Sequence, residues 1–301
     1  NTALGANALS ANTTASGSTA VGEDALFTNT GAQNTAMGQS ALRLNTTGTQ
    51  NVAIGPNSLA ANTTADYNTA MGTHTLRVNT TGTYNLAVGA HAMDGNTTGG
   101  YNTGVGANSL FNATTADGNT ACGYNALYAT VTGAQNTAVG HQALKVNTSS
   151  DNCAVGYNAL SSNTSGASNT AVGHAASDGI TTANYCTSVG RHSLSANSTA
   201  NANTAIGYNA MLECTAASNS AVGSQCMDSL TTGTANTAMG VAAMHTLTTG
   251  QQNTAFGYFA GVGHLTATAN NQGYFARNDS GAGNSATWLR GDTNGACFQG
   301  N

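Results

Sequence analysis

Every 16 or 17 residues the chain returns to a five-residue stretch, Asn-Thr-Ala-(apolar)-Gly, followed by a small turn, a Leu or Met, and a return rich in Thr, Asn, Gly and Ser. The stretch begins at Asn1, Ser18, Asn34, Asn51, Asn68, Asn85, Asn102, Asn119, Asn136, Asn152, Asn169, Cys186, Asn203, Asn219, Asn236 and Asn253. Spacing this regular marks a repeat architecture, which changes how each residue is read. The unit is about half the roughly 33 residues a helix-turn-helix repeat needs, and Gly, Asn and Thr oppose helix. A unit so short cannot close a core alone, so neighbouring units must stack and share their burial. The predicted fold is all-β, a parallel β-solenoid or β-roll of about 16 coils with a 16–17-residue repeat. At the strand spacing of about 4.8 Å it predicts a stiff rod on the order of 75 Å long.

Numbering each unit from its first residue, positions two and four of a strand share one face and position three points the other way. Position four is an apolar column, Leu4, Val21, Met37, Ile54, Met71, Val88, Val105, Cys122 and Val139, continuing to Phe256. It is expected to be the core, with Thr2 and its equivalents at position two facing inward beside it. Position three is Ala in all but Gly104 and Ser188, as in Ala3, Ala20, Ala36, Ala53, Ala70 and Ala87. A limit to small residues predicts close approach by another copy of the chain about a symmetry axis. Position nine is a second apolar column of Leu and Met, from Leu9 to Met244. Position one, mostly Asn, is expected to form a side-chain ladder that fixes the register.

Composition narrows the function. Only 6% of residues are charged and the net charge is −5, with six basic side chains in 301 residues. That leaves no basic groove for nucleic acid. No stretch approaches the roughly 18 apolar residues of a membrane span, so this segment is not expected to insert in a membrane. The chain opens on Asn1 in mid-pattern, which predicts a piece of a longer polypeptide. Residues 1–261 form the predicted solenoid, and 262–301, where the period breaks, a cap or a transition to a further domain. The aromatic residues Tyr258, Phe259, Tyr274, Phe275, Trp288 and Phe298 cluster around and after that break.

Units such as Asn51-Val52-Ala53-Ile54-Gly55 and Asn136-Thr137-Ala138-Val139-Gly140 resemble the head repeat of YadA-like trimeric adhesins. The longer form, with Gly-Tyr-Asn-Ala-Leu at 123–127 and 156–160, is similar to repeats of bacteriophage tail-fibre proteins. The adhesin repeat is usually a few residues shorter than the unit here. The resemblance implies a left-handed roll of three chains side by side, hence a homotrimeric fibre that is extracellular or part of a virion, or on a bacterial cell surface. Its expected role is a structural segment of a surface-attachment appendage, a phage tail fibre holding or forming a receptor-binding element. The alternative is the head of a bacterial trimeric autotransporter adhesin that binds host or matrix surfaces. A third reading, a fibre with glycan-degrading activity, needs an added domain carrying paired carboxylates. Residues 285–292 resemble segments that precede an intramolecular chaperone in phage fibres.

Candidate chemistry is sparse. The six Cys include no C-x-x-C and read as small buried residues. His74 and His91 share position seven of adjacent coils, but no carboxylate in that register completes a metal site; His141 and His174 lie at position six. Neither a metal nor a cofactor is expected. The scattered carboxylates form no paired column, and no nucleophile elbow, zinc-protease or phosphate-loop motif occurs, so the segment is not expected to be an enzyme. Sequons such as Asn62-Thr63-Thr64 arise from the repeat itself. Tyr67, Tyr84 and Tyr101 at position seventeen of consecutive coils predict a stacked row, the candidate contact for a bacterial or host receptor or glycan, with Tyr185 recurring in the same register.

Overall fold

In the computed structural model, residues 1–262, 267–276, 287–292 and 295–297 are described, and they contain no helix. The chain divides into two compact units, Asn1–Asp151 and Asn152–Asn301. Each is a parallel β-solenoid. The first carries nine three-residue strands, from β1 (Thr2–Leu4) to β9 (Thr137–Val139); the second begins with seven, from β10 (Cys153–Val155) to β16 (Thr254–Phe256).

Within each unit successive strands pair in parallel and in register, so that Ala36 lies beside Ala53, and Ala171 beside Ser188. The 16-residue coils keep this register, as in Thr19 beside Thr35, because the missing residue comes out of the Thr-rich return rather than the strand. After the last repeat, β17 (Gly273–Ala276) adds one more parallel rung on β16. The direction then reverses: β18 (Thr287–Asp292) and β19 (Gly295–Cys297) pair antiparallel. The segment expected as a cap or transition thus contributes one further parallel strand at β17. The side chains of Trp288 and Cys297, and residues 285, 286 and 298, lie outside what is described.

The faces of the strand are opposite to the sequence expectation. Ala20, Ala36, Ala53, Ala70 and Ala87 are fully buried inside the coil, and only Ala3 of the terminal coil is exposed. The expected core column faces out: Leu4, Met37, Met71 and Val139 are exposed, Met71 by 41%, and Val21, Ile54, Val88 and Val105 are partly so. Position two turns outward with it, and Leu86 is exposed. The Ala limit therefore comes from the chain's own return, not from a second chain. A Cβ placed on Gly104 would lie 3.0 Å from Met93 Cγ and 3.1 Å from Ser109 Oγ, which leaves no space for a larger group.

The core is built from positions three, eight and nine. Leu26, Leu42, Leu59, Leu76, Leu110, Leu127, Leu144, Leu160 and Leu194 are fully buried, confirming the position-nine column. Each takes a left-handed backbone, as at Leu59 with φ 49°. That conformation costs a non-glycine residue about 1–2 kcal/mol. Burying the Leu side chain returns about 1.5–3 kcal/mol. The turn also sends its N–H to the next coil, as in Leu59 N–H to the Thr75 carbonyl at 2.9 Å.

Two Asn ladders satisfy the polar interior. At position one, the Asn68 N–H donates to Asn51 Oδ1 at 3.0 Å while Asn68 Nδ2 donates to the Gly82 carbonyl at 2.8 Å, and the pattern repeats up the unit. The second ladder, at position twelve, was not foreseen. Asn62 Nδ2 donates to Asn45 Oδ1 at 2.8 Å, and Asn79 Nδ2 to Asn62 Oδ1 at 3.1 Å. These are the Asn residues of the sequons, and Asn45, Asn62, Asn79 and Asn96 are fully buried, so their amides are closed to modification in the folded chain.

Candidate functional site

An inner lining so constrained leaves function to the outward columns. In each unit position four is apolar throughout, yet it lies on the outer face of the sheet: Met37, Met71, Val139 and Cys122 in the first unit, Val172, Val189, Ile206 and Met239 in the second, all exposed. Isolated exposed apolar residues are ordinary on a protein surface. A column in which every coil places an exposed or half-buried apolar residue at one register is not, because the residues lie next to one another.

Position seventeen carries the predicted tyrosine row. The Tyr67 and Tyr84 rings stack with centroids 4.8 Å apart and planes 8° apart, and Tyr84 and Tyr101 at 5.2 Å and 7°. The backbone reason is the left-handed conformation at this position, φ 58–60° in all three, which turns each ring outward in the same direction. Because the planes are nearly parallel, the inner faces cover one another, and the row presents edges and hydroxyls. Exposure rises from 46% at Tyr67 and 50% at Tyr84 to 67% at Tyr101, the end ring. Tyr185, with no ring in the next coil, is 70% exposed.

A second aromatic row occupies position six, which sequence reading had seen only as isolated histidines. Tyr124 stacks on His141 at 5.4 Å in the first unit; Tyr157 stacks on His174 at 5.1 Å in the second, where Arg191 lies 6.0 Å from the Tyr208 ring. The signal was present in the tyrosine of each Gly-Tyr-Asn-Ala motif, which shares a register with the histidines.

The position-seven histidines do come together, with ring centroids 5.0 Å apart. A carboxylate also reaches them from position ten of the same coil: Asp94 Oδ2 lies 3.1 Å from His91 Nδ1. Its other oxygen accepts from Arg77 Nε at 2.8 Å. Asp94 is thereby committed to a bridge between two coils, and among the described residues no group of three ligating side chains fits a metal ion. In the second unit Asp228 pairs with His245 across one coil step. Burial raises the Asp228 carboxyl above its ordinary range, and His245 opposes that shift.

The cysteines divide by register. Cys122 at position four is exposed and Cys153 at position two partly so, whereas Cys186, Cys214 and Cys226 are buried. Burial pushes the Cys214 thiol up to about 11 and Cys226 to about 12, far from the lowered values of reactive thiols. Cys186 shifts the same way. No family model matches the chain, and no curated protein or solved structure is significantly similar to it.

Proposed function

We propose that the chain is a homotrimeric fibre segment of a surface-attachment appendage, most consistent with a phage tail fibre that holds or forms a receptor-binding element. The observation that carries the reading is the outward apolar column at position four. It is conserved from coil to coil within the chain although the coil itself does not require it. Its partner must present apolar groups at the same coil spacing, and another copy of the same chain does so by construction. Within each unit, three copies around an axis parallel to its strand stack would bring their position-four columns together. The role is mechanical: stacked, hydrogen-bonded coils hold a binding end away from the particle or cell.

The alternative, a bacterial adhesin head, is favoured by the exposed tyrosine row along the first unit, which offers contacts on the coils themselves. Extracellular, virion or cell-surface location follows from either reading, and catalysis from neither. Light scattering tests the assembly. A mass of about three times 29.8 kDa that persists on dilution supports it. A stable monomer removes it.

A further inference from the structure

The tyrosine row ends abruptly. Tyr84 sits in the one-coil gap between Tyr67 and Tyr101, at 4.8 and 5.2 Å from its neighbours. The next residue in the register is Gly118, and after it Gln135. Between Tyr101 and Gln135 the register therefore skips one side chain, at the place that Tyr84 holds between Tyr67 and Tyr101. A Cβ on Gly118 would meet only Gln135 Cγ, at 3.8 Å, an ordinary contact. Nor is glycine imposed by the backbone: φ is 67° at Gly118, against 59° at both Tyr101 and Gln135.

We propose that this notch is a binding slot for one neutral pyranose ring of a surface glycan. The proposal deepens the surface-attachment reading, and rests on it, by naming the ligand of the tyrosine row and moving its contact to the row's open end. Tyr101 supplies the one aromatic face of that row left free on this side, and its 67% exposure records the gap. A pyranose stacks its C–H face on such a ring. Opposite, Gln135 is exposed and its amide both donates and accepts. At the rim stands Asp117, exposed, with Oδ1 held by the Gly100 N–H at 2.7 Å. A carboxylate has about four lone-pair sites, so one fixed by a single bond still accepts from neighbouring sugar hydroxyls.

The same carboxylate selects against other occupants. A phenylalanine side chain from a protein partner would cover Asp117 and give it no donor, an uncompensated desolvation, and tyrosine or tryptophan would bring a single donor where a sugar brings adjacent hydroxyls. An acidic sugar would place like charge beside it. A neutral ring with adjacent hydroxyls meets both walls and the rim.

The test is saturation-transfer NMR of the full chain with a panel of neutral gluco-, galacto- and manno-configured oligosaccharides, acidic oligosaccharides and an aromatic peptide. Light scattering on the same samples reports the assembly separately, so a failed trimer and a failed slot are distinguishable. Tyr101→Ala and Gly118→Tyr should each weaken binding of a neutral member by roughly tenfold, the size of one lost aromatic contact. Tyr67→Ala, at the far end of the row, should leave it within about twofold, well below that contact. Gly118→Gln repeats the filling with the residue already found at position 135, should Gly118→Tyr fold poorly. Binding that survives both filled variants, that Tyr67→Ala reduces equally, that favours the acidic or peptide probes, or that occurs with no neutral member overturns the proposal.

Discussion

Ser177 Oγ and Ser188 Oγ meet across the solenoid interior at 2.7 Å, and both side chains are buried. Ser188 replaces the usual Ala at position three, and Ser177 replaces the usual Leu or Met at position nine of the coil before it. The two departures compensate: a hydroxyl at one site removes the apolar partner and supplies a hydrogen-bond partner instead. Ser188→Ala should destabilise the protein by about 1–3 kcal/mol, because it strands the Ser177 hydroxyl in an apolar interior. The double change Ser177→Leu with Ser188→Ala restores the majority pair and should be at least as stable as the parent. A double-mutant cycle by urea unfolding measures the coupling; strictly additive effects would show that the two hydroxyls do not act as a pair.

The invariant glycine of position five has a different origin. At Gly55 φ is 123°, and an added Cβ would lie 2.5 Å from the Gly72 carbonyl oxygen of the next coil. Both the backbone conformation and the approach exclude a side chain. Gly55→Ala should cost about 3 kcal/mol or more, combining backbone strain with a backbone clash that no rotamer relieves. Gly118→Ala, at an open glycine in the left-handed region, is the control and should cost about 1–2 kcal/mol, the backbone strain without a clash. Thermal unfolding of the two variants checks the contrast.

The ladder at position one should be sensitive as well. Asn68→Ala removes the acceptor for the Asn85 N–H and the donor to the Gly82 carbonyl, both buried. The Gly82 carbonyl keeps the Asn79 Nδ2 donor at 3.0 Å, so the Asn85 N–H is the group left unsatisfied and a loss of about 1–3 kcal/mol is expected. Amide hydrogen exchange should localise it: the Asn85 N–H should lose protection while amides several coils away keep theirs. Uniform loss across the unit would mean that the coils unfold together rather than as neighbours.

The repeat, its register, the Asn ladder and the tyrosine row were all legible in the sequence, because each is a periodic fact that stacking turns directly into space. Which face of the strand points inward was not. Period-two alternation separates Ala70 from Thr69 and Met71 but does not say which side is the core, and the larger apolar side chain was given the inside. The structure inverts this because the coil is thin: Leu at position nine fills it, and only a Cβ fits opposite. The signal that could have decided it was the near-invariance of Ala, since a packed interior restricts size more tightly than an outer face does. The second Asn ladder was hidden because Asn-Thr-Thr also reads as a glycosylation motif, and the position-six row because its tyrosines and histidines alternate.

Thiol chemistry offers an independent view of the same faces. In a single folded chain Cys122 should react with a thiol reagent at once, whereas Cys214 and Cys226 should stay protected. Their folded values lie above the ordinary thiol value, so the folded state holds the protons more tightly. The resulting stability is fully present below about pH 9 and is lost as pH rises from there toward 12. Unfolding midpoints should therefore fall through this alkaline range, and less so in Cys226→Ala. An equal fall in that variant would assign the effect to other groups.

The orientation of the strand yields the sharpest test, because the two sides of one strand should fail in different ways. Ala70→Leu places three extra carbons against a filled interior, and overpacking of this kind costs about 1–3 kcal/mol or more; the chain should lose stability at any concentration. Met71→Asp, one residue on, points outward and should leave the single-chain fold intact. If copies pack through position four, it buries an unpaired carboxylate between them and should disperse the assembly, with the light-scattering mass falling toward 29.8 kDa while the β-sheet circular dichroism persists. Cys122 reports on the same interface without further change: slow labelling in the parent and fast labelling in the Met71→Asp variant would place it between chains. Fast labelling in both, with an unchanged mass, would leave position four in solvent and require another surface for self-association.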